Sequence, residues 1–369
     1  MIVGVLKEPI GEKRVSILPE HISLFIKKNI QVIVQQDAGL AAFASNEDYI
    51  NKGASIASFE EVLAKADIVL AINNFNISET LKNKIIIGVY QPLNNKNFVQ
   101  QCINNGVTSF SIDVIPRTTR AQSMDVLSSQ ANIAGYKAVL TAASILPHYF
   151  PMFITAAGSI APAKVLILGA GVAGLQAIAT AKRLGAVVEV FDTRPSVKEE
   201  VQSLGAKFVE VEGAADASKA GGYAVEQTEE YKQKQQQKIA ESVAKANVVI
   251  TTAQIPGKQA PILISNEMLA SMKPGSVIID LAAATGGNTP QTKNQETITT
   301  SNGITIVGNS NFASTMPYDA SKLYGKNIVN FLQLITNNEG RLNLNFEDDL
   351  VQGTCLTHQG VIMQERFKV

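Results

Sequence analysis

Short apolar runs alternate with amphipathic stretches along the first third of the chain. The apolar runs predict strands at residues 2–6, 32–35, 68–72, 85–89 and 108–111. The stretches between them place apolar side chains at helical spacing. Strands that alternate with helices are typical of βαβ units, so this pattern predicts a mainly parallel sheet.

One long helical pattern, over about residues 123–149, follows these strands and ends near Pro147, because proline breaks a helix. A second series of strands is predicted at residues 164–168, 187–192, 207–210, 248–252, 277–280 and 304–308, and a further helix at about 319–338. We therefore expect two α/β domains. The first comprises residues 1–126, completed by residues 319–369, and the second is a Rossmann domain of residues 127–318.

The composition is that of an ordinary globular protein, because 46% of its 369 residues are hydrophobic and only 17% are charged. The 32 basic residues balance 32 acidic ones, so the chain lacks the basic surface of a nucleic-acid or anionic-membrane binder. Its longest apolar runs are strand-sized, far below the roughly 20 residues of a membrane helix. The segment MIVGVLKEP does not resemble a signal peptide, which predicts a cytoplasmic location.

Residues that bind metals or exchange electrons are few and scattered. Cys102 and Cys355 form no metal or redox motif. The three histidines, His21, His148 and His358, stand apart without a second ligand at suitable spacing. We therefore predict no metal site, and we assign the histidines no chemistry.

A glycine-rich motif opens the second predicted domain in the segment KVLILGAGVAGLQAIATAKRLGAVVEVFDTRP. Gly169, Gly171 and Gly174 form GxGxxG between a predicted strand and a predicted helix. The first glycine permits the tight turn, the second lets the backbone approach a pyrophosphate, and the third lets helix and strand pack closely. The N-terminus of the helix adds unpaired N–H groups, so the motif predicts a dinucleotide site.

Asp192 ends the next predicted strand, about 20 residues beyond the glycines, where a carboxylate binds two ribose hydroxyls. The same carboxylate would repel a 2′-phosphate, which favours NAD over NADP. Arg194 follows two residues later. It could contact phosphate or adenine, or extend into solvent, and we expect Asp192 to determine the choice of nucleotide.

With these motifs the sequence resembles the NAD(H)-binding component of the proton-translocating NAD(P) transhydrogenases, in its form as a separate soluble α-subunit chain. The resemblance covers essentially the whole chain. The segments that carry it are KEPIGEKRVSILPE, PRTTRAQSMDVLSSQANIAGYKAV, FDTRP, AGGYAVE, TTAQIPGKQAP and DLAAATGGN. It implies two Rossmann-like parallel-sheet domains that are joined by long helices, with a cleft between them.

The resemblance also implies an activity and a set of partners. This chain would bind NAD(H), and a partner subunit would bind NADP(H), with direct hydride transfer between the two nucleotides. The partners would be a short membrane α chain and a membrane β subunit that carries the NADP-binding domain, and these would couple the reaction to proton translocation. A homodimer, peripheral on the inner membrane through its partners, is implied as well.

Two groups of site residues follow from the resemblance. The group that holds the nicotinamide end is Arg117, Gln122, Asp125 and Ser128. Further cofactor-binding candidates are Thr118, Thr119, Val172, Asp192, Thr193, Arg194, Gly222, Tyr223, Gln235 and Gln254. The loop around Tyr223 would be a mobile flap over the nucleotide, although an exposed aromatic on a glycine-rich loop is the alternative.

The residue types of the first group support its assignment. A guanidinium, an amide and a carboxylate just ahead of a helix can fix a carboxamide-bearing ring by directional hydrogen bonds. The alternative is a helix-capping turn with a surface ion pair, because Asp125 stands near a helix start, where acids are favoured.

Alanine dehydrogenase, which shares this architecture, is the nearest alternative activity. It uses an arginine, a lysine, a histidine and a late aspartate, because oxidising an amino acid requires proton transfers. Here Arg14 is present, but Ala71 stands in the lysine strand, Tyr90 and Gln91 in the histidine strand, and DLAAATGGN has no acid beyond Asp280. Transhydrogenases commonly retain that lysine too, so Ala71 departs from both patterns. Hydride exchange between two nicotinamides needs no proton donor. A non-catalytic NAD-sensing module is a third hypothesis.

Overall fold

The structure is a computed structural model that describes residues 1–211 and 228–368. In these ranges the strands are β1 (Ile2–Val5), β2 (Gln31–Gln35), β3 (Ser55–Ala57), β4 (Ile68–Leu70), β5 (Ile85–Gly88), β6 (Thr108–Ser111), β7 (Phe153–Thr155), β8 (Gly158–Ile160), β9 (Lys164–Leu168), β10 (Val187–Phe191), β11 (Lys207–Phe208), β12 (Val248–Thr251), β13 (Val277–Asp280), β14 (Thr297–Thr299), β15 (Thr305–Val307), β16 (Cys355–His358) and β17 (Val361–Ile362). The helices are α1 (Pro19–Ile26), α2 (Asn46–Asn51), α3 (Phe59–Lys65), α4 (Lys96–Asn104), α5 (Val126–Ile145), α6 (Val172–Arg183), α7 (Lys198–Ser203), α8 (Glu229–Val243), α9 (Asn266–Ser271), α10 (Pro317–Leu332) and α11 (Asp349–Thr354).

The chain divides into two compact units. Unit 1 is Met1–Gln130 with Ala313–Val369, and unit 2 is Ala131–Phe312. The chain passes from the first to the second within α5. None of the helices in the described ranges is both long and apolar enough to cross a membrane.

Unit 1 is built on an eight-stranded sheet with the strand order β17-β16-β6-β5-β4-β1-β2-β3. Its six N-terminal strands are parallel and follow the 3-2-1-4-5-6 order of a Rossmann sheet. The central strands β4 and β5 are wholly buried, as expected for parallel strands covered on both faces. The sheet order reverses at β1 and β4, so the carboxyl ends of these strands form the switch point of unit 1.

Unit 2 repeats this architecture in a seven-stranded sheet with the order β11-β10-β9-β12-β13-β15-β14. Six of its strands are parallel in the same 3-2-1-4-5-6 order. The switch point lies between β9 and β12, where open α/β sheets bind their ligands. The predicted fold class, α/β with two Rossmann-like sheets, is confirmed.

The sheets are mixed rather than purely parallel, because their edges carry antiparallel strands. In unit 1, β16 pairs antiparallel with β6, and in unit 2, β14 pairs antiparallel with β15. These edge strands and the short β3 were not predicted from the sequence. They have two to four residues each, too few to establish an apolar alternation.

Two predicted helices have different bounds in the structure. In place of the single helix predicted over about residues 123–149, the chain forms a 3₁₀ helix at Thr119–Met124, followed by α5, which ends at Ile145 before Pro147. Helix α10 begins at Pro317, where proline is favoured in the first turn, and ends at Leu332 rather than near 338. The residues after it turn back on themselves, and Thr336 forms an antiparallel bridge with Leu342.

Candidate functional site

The GxGxxG segment forms the turn between β9 and α6. Gly169 has a φ of +106°, a left-handed conformation that favours glycine, and a Cβ there would lie 2.3 Å from Oγ1 of Thr252. A Cβ on Gly174 would lie 1.9 Å from the carbonyl oxygen of Gly169, so no larger residue fits this helix turn. A Cβ on Gly171 would meet nothing within 4 Å. The turn therefore leaves open space in front of the N-terminus of α6.

Asp192 lies directly after β10 and is 8% exposed. Its Oδ2 accepts a hydrogen bond of 2.7 Å from the backbone N–H of Ala170, inside the glycine turn. The Arg194 side chain forms an ion pair with it, with Nη2 2.8 Å from Oδ2. The hydrogen bond to the Asp192 carboxylate is the main reason that the pKa of the Arg194 guanidinium is raised. The acid and the arginine predicted as separate contacts are therefore bonded to each other beside the glycine turn.

The loops after β12 and β13 are held together by buried polar groups that sequence reasoning missed. Asp280, which is fully buried, accepts hydrogen bonds from the backbone N–H of Ala282 at 3.0 Å and of Asn288 at 2.6 Å. The Asn288 side chain in turn bonds to both backbone groups of Ala253. Gln254 follows and donates to the carbonyl of Leu281 at 2.9 Å. Asp280 and Asn288 therefore position the loop that carries Gln254.

The other nucleotide-binding candidates of unit 2 are distributed over several elements. Val172 is exposed at the first position of α6, Thr193 is half-buried between Asp192 and Arg194, and Gln235 is half-buried on α8. Gly222 and Tyr223 lie outside the described residues, so the flap hypothesis stays a prediction.

The nicotinamide candidates lie on the segment that leads into α5. The side chains of Arg117, Thr118, Thr119 and Gln122 are exposed on and before the 3₁₀ helix. Asp125 directly precedes α5, where its carboxylate accepts the backbone N–H of Ser128 at 2.9 Å and the Ser128 hydroxyl at 2.6 Å. This is the geometry of a helix N-cap. The capping role that the sequence left open is therefore present, and it occupies part of the Asp125 carboxylate.

Residues of the C-terminal segment fix this loop within unit 1. Asn327 and Asn330 of α10 each donate a side-chain hydrogen bond to the carbonyl of Ser123, at 2.8 and 2.9 Å. The guanidinium of Arg120 forms two hydrogen bonds, of 2.6 and 2.7 Å, with the carboxylate of Asp348, which also caps α11. These contacts explain why the C-terminal segment packs with unit 1, and no local sequence motif indicates them.

Arg14 is bonded to a carboxylate of its own loop. Its Nε lies 2.9 Å and its Nη2 2.7 Å from the two carboxylate oxygens of Glu12, while Nη1 donates to Gln130 at 2.9 Å. The two charged side chains are only 11% and 6% exposed. An arginine binds a substrate carboxylate through this same bidentate fork. In this structure the fork is already filled by the chain itself.

This pair predicts a pH dependence of stability. Burial alone would raise the pKa of Glu12, but the hydrogen bonds and charge of Arg14 outweigh it and lower the pKa from 4.5 to about 2. A lowered folded-state pKa stabilises the protein above pH 4.5, and this contribution is lost as the pH falls toward 2. We expect wild type to lose roughly 3 kcal/mol more than Glu12→Gln over this window.

The measurement is denaturant unfolding of both proteins between about pH 4.5 and pH 2. Glu61→Gln, which removes an exposed carboxylate paired with Lys65, is the control and should show a smaller difference from wild type. Parallel pH profiles for wild type and Glu12→Gln would show that the ion pair contributes nothing to stability.

A buried carboxylate lies at the switch point of unit 1. The Glu8 carboxylate, which follows β1, accepts the backbone N–H groups of Ile72 and Asn73 beyond β4. Burial is the largest influence on Glu8 and raises the pKa of its carboxyl group. Ala71 and Tyr90 are buried in the adjoining core, 2% and 1% exposed. Glu8 therefore ties the segment after β1 to the segment after β4 at the switch point of unit 1.

Metal-ligating side chains do not converge in the part of the chain that the structure describes. Residues 1–211 and 228–368 contain no group of three or more His, Cys, Asp or Glu side chains that could hold a metal ion.

The models of two domains of one protein family match almost the whole chain. The N-terminal domain described as alanine dehydrogenase/PNT matches residues 4–134, and its C-terminal domain matches residues 138–365. A protein of Rickettsia prowazekii is 42% identical over 372 residues. It is named as the first part of an NAD(P) transhydrogenase alpha subunit. The match covers 98% of this chain and 96% of that protein.

A solved structure and a second type of relative complete the comparison. The crystal structure of transhydrogenase from Sinorhizobium meliloti matches with a TM-score of 0.89 at 41% identity, covering 98% of this chain and 100% of that one. Alanine dehydrogenase 1 of Staphylococcus aureus is 30% identical over 304 residues, 78% of this chain and 74% of that protein. The predicted resemblance is confirmed: the chain belongs to the alanine dehydrogenase/PNT family and groups with its NAD(P) transhydrogenase alpha subunits.

Proposed function

We propose that this chain binds NAD(H) and exchanges a hydride directly with NADP(H) held on a partner subunit. The observation that carries the proposal is the contrast between two sets of residues. The dinucleotide turn, with Gly169, Gly174 and Asp192, is intact. Of the groups that amino-acid oxidation requires, the lysine and the histidine are missing, and the guanidinium fork of Arg14 is filled by Glu12.

The proposed chemistry needs no proton donor from the protein. A hydride leaves C4 of the reduced nicotinamide with its electron pair and binds to C4 of the oxidised one, so one nucleotide is oxidised and the other is reduced. The protein must hold the two rings close and correctly oriented and exclude water. Arg117, Gln122 and Asp125 would orient the nicotinamide carboxamide by hydrogen bonds, with Ser128 supporting Asp125.

Asp192 is proposed to bind the adenosine ribose and to select NAD(H). Replacing Asp192→Ala is expected to weaken NADH binding by roughly ten- to a hundredfold, because a hydrogen bond to a charged group contributes about 1.5–3 kcal/mol. It should also narrow the preference for NADH over NADPH, because the charge that repels a 2′-phosphate is gone. The measurement is titration of both nucleotides against both proteins.

Asp192→Asn is the matched variant: it keeps the shape and one acceptor oxygen but removes the charge that repels a 2′-phosphate, so it too should narrow the preference for NADH over NADPH. Wild-type protein that bound NADH and NADPH equally would contradict the proposed selectivity.

The partners are proposed from the relatives. Their name denotes one piece of a divided alpha subunit, which implies that further chains complete the enzyme. We infer that these are a short membrane α chain and a β subunit with the NADP-binding domain, that they couple hydride transfer to proton translocation, and that they hold this chain at the cytoplasmic face of the inner membrane.

A second copy of this chain is a further proposed partner. The hairpin of β7 and β8 forms a separate two-stranded sheet, which is marginally stable in water without a covering surface. It carries exposed apolar side chains, with Met152, Phe153, Ile154 and Ile160 between 44% and 73% exposed. A homodimer that covers this hairpin would remove them from water.

A further inference from the structure

The Asp192 carboxylate has no acceptor position left for a ligand. A carboxylate offers about four lone-pair positions. Oδ1 accepts the backbone N–H of Arg194 at 2.8 Å and its Nε at 2.9 Å. Oδ2 accepts the backbone N–H of Ala170 at 2.7 Å and Nη2 of Arg194 at 2.8 Å. All four positions are therefore filled in this structure.

The four donors are of two kinds. The two backbone N–H groups belong to the turns after β9 and β10, so they stay with Asp192 as long as the sheet is folded. The other two belong to one guanidinium, and each occupies one position on a different oxygen. If this guanidinium left, the carboxylate would present two free positions, one per oxygen, which match the two hydroxyls of a ribose diol.

We propose that the guanidinium of Arg194 occupies the ribose position of Asp192 in the nucleotide-free protein and leaves it when NADH binds. The inference rests on the proposed NAD(H)-binding function. The side chains of Arg194 and Asp192 are largely buried, 17% and 6% exposed, in this ion pair. Opening the pair costs free energy, and this cost lowers the measured affinity for NADH. Arg194 is thus a competitor of the nucleotide for Asp192.

Removing the competitor is expected to strengthen binding. In Arg194→Met the side chain keeps its apolar length but cannot donate, so NADH should bind about three- to tenfold more tightly, mainly through faster association. Arg194→Lys keeps the charge without the fork and should lie between wild type and Arg194→Met. The measurement is NADH titration and stopped-flow association with the full chain.

Two controls separate this effect from general changes in charge. Lys207→Met removes another cation of the same sheet, whose partner Glu189 lies on β10, and it should leave NADH affinity unchanged. A 2′-deoxyribose analogue of NADH needs only one of the two positions on Asp192, so the guanidinium can keep its bond to the other oxygen, and the gain from Arg194→Met should shrink with this ligand.

A direct readout keeps the inference testable if Arg194→Met does not fold. The ¹⁵N–¹H resonance of the Arg194 Nε in the wild-type chain, assigned by its absence in Arg194→Lys, should shift as NADH saturates the protein. Unchanged or weaker NADH binding by folded Arg194→Met, or an Nε resonance that NADH does not move, would overturn the inference. A wild-type chain that binds no NADH would instead overturn the proposed function.

Discussion

Mixed with the NADP-binding domain of a transhydrogenase β subunit, this chain is expected to catalyse reduction of an NAD analogue by NADPH, while each protein alone gives no reaction. The reason is that, in the proposed function, the hydride donor and acceptor are held on different proteins, so their rings approach only in the complex. The measurement is the absorbance of the reduced analogue in the mixture and in each component. A mixture with no activity, although both proteins bind their nucleotides, would contradict the proposal.

The path of the hydrogen distinguishes direct transfer from a proton relay. Deuterium at C4 of the NADPH donor is expected to reach the reduced analogue undiluted, because in direct transfer the hydride passes through no exchangeable group. Loss of the label to water would show that the transfer is not direct.

The alternative activity, amino-acid oxidation, is tested with the chain alone. The chain alone should neither oxidise alanine with NAD nor reduce pyruvate with ammonia, because Ala71 and Tyr90 replace the expected lysine and histidine. Glu12→Ala would empty the fork of Arg14 but should not create this activity, since the proton-transfer groups are still missing. Robust alanine turnover would identify a dehydrogenase.

The parallel core of both sheets was predictable from the sequence. The runs of β4 and β5, and that of β9 after Lys164, are apolar because parallel strands are buried on both faces. The glycine motif located the turn after β9. The antiparallel edge strands were not predictable, since their pairing depends on distant parts of the chain. Strand β16 lies beside β6 although about 250 residues separate them in sequence.

The sequence predicts which types of residue the candidate site contains, but not which of them bond to each other. The sequence indicates an acid at Asp192 and an arginine at Arg194, yet only the structure shows that they bond to each other. The sequence also indicates an arginine at position 14, but not that this side chain forms an ion pair with Glu12. Hydrogen bonds between side chains are decided by distances of a few tenths of an ångström, and sequence spacing does not specify them.

The loop ahead of α5 is the region of the site whose two roles can be separated by substitution. Asp125 caps the helix through Ser128, and this role needs only a short polar side chain. Orienting a nicotinamide carboxamide, in contrast, needs the carboxylate itself. Serine is about as good an N-cap as aspartate, so Asp125→Ser keeps the cap and removes the charge, whereas Asp125→Ala removes both.

Gln122→Ala and Asp125→Ser are therefore expected to slow hydride transfer by roughly a hundredfold, because a misplaced ring loses much of the gain from orientation. Their NADH affinity should fall by no more than about tenfold, since the adenosine and pyrophosphate contacts are untouched. The measurements are single-turnover transfer in the mixture with the NADP-binding domain, and NADH titration of the chain alone. The cap itself is assessed by unfolding, where Asp125→Ala should lose about 1 kcal/mol and Asp125→Ser much less. Full transfer rates in both Gln122→Ala and Asp125→Ser would leave this loop with its capping role alone.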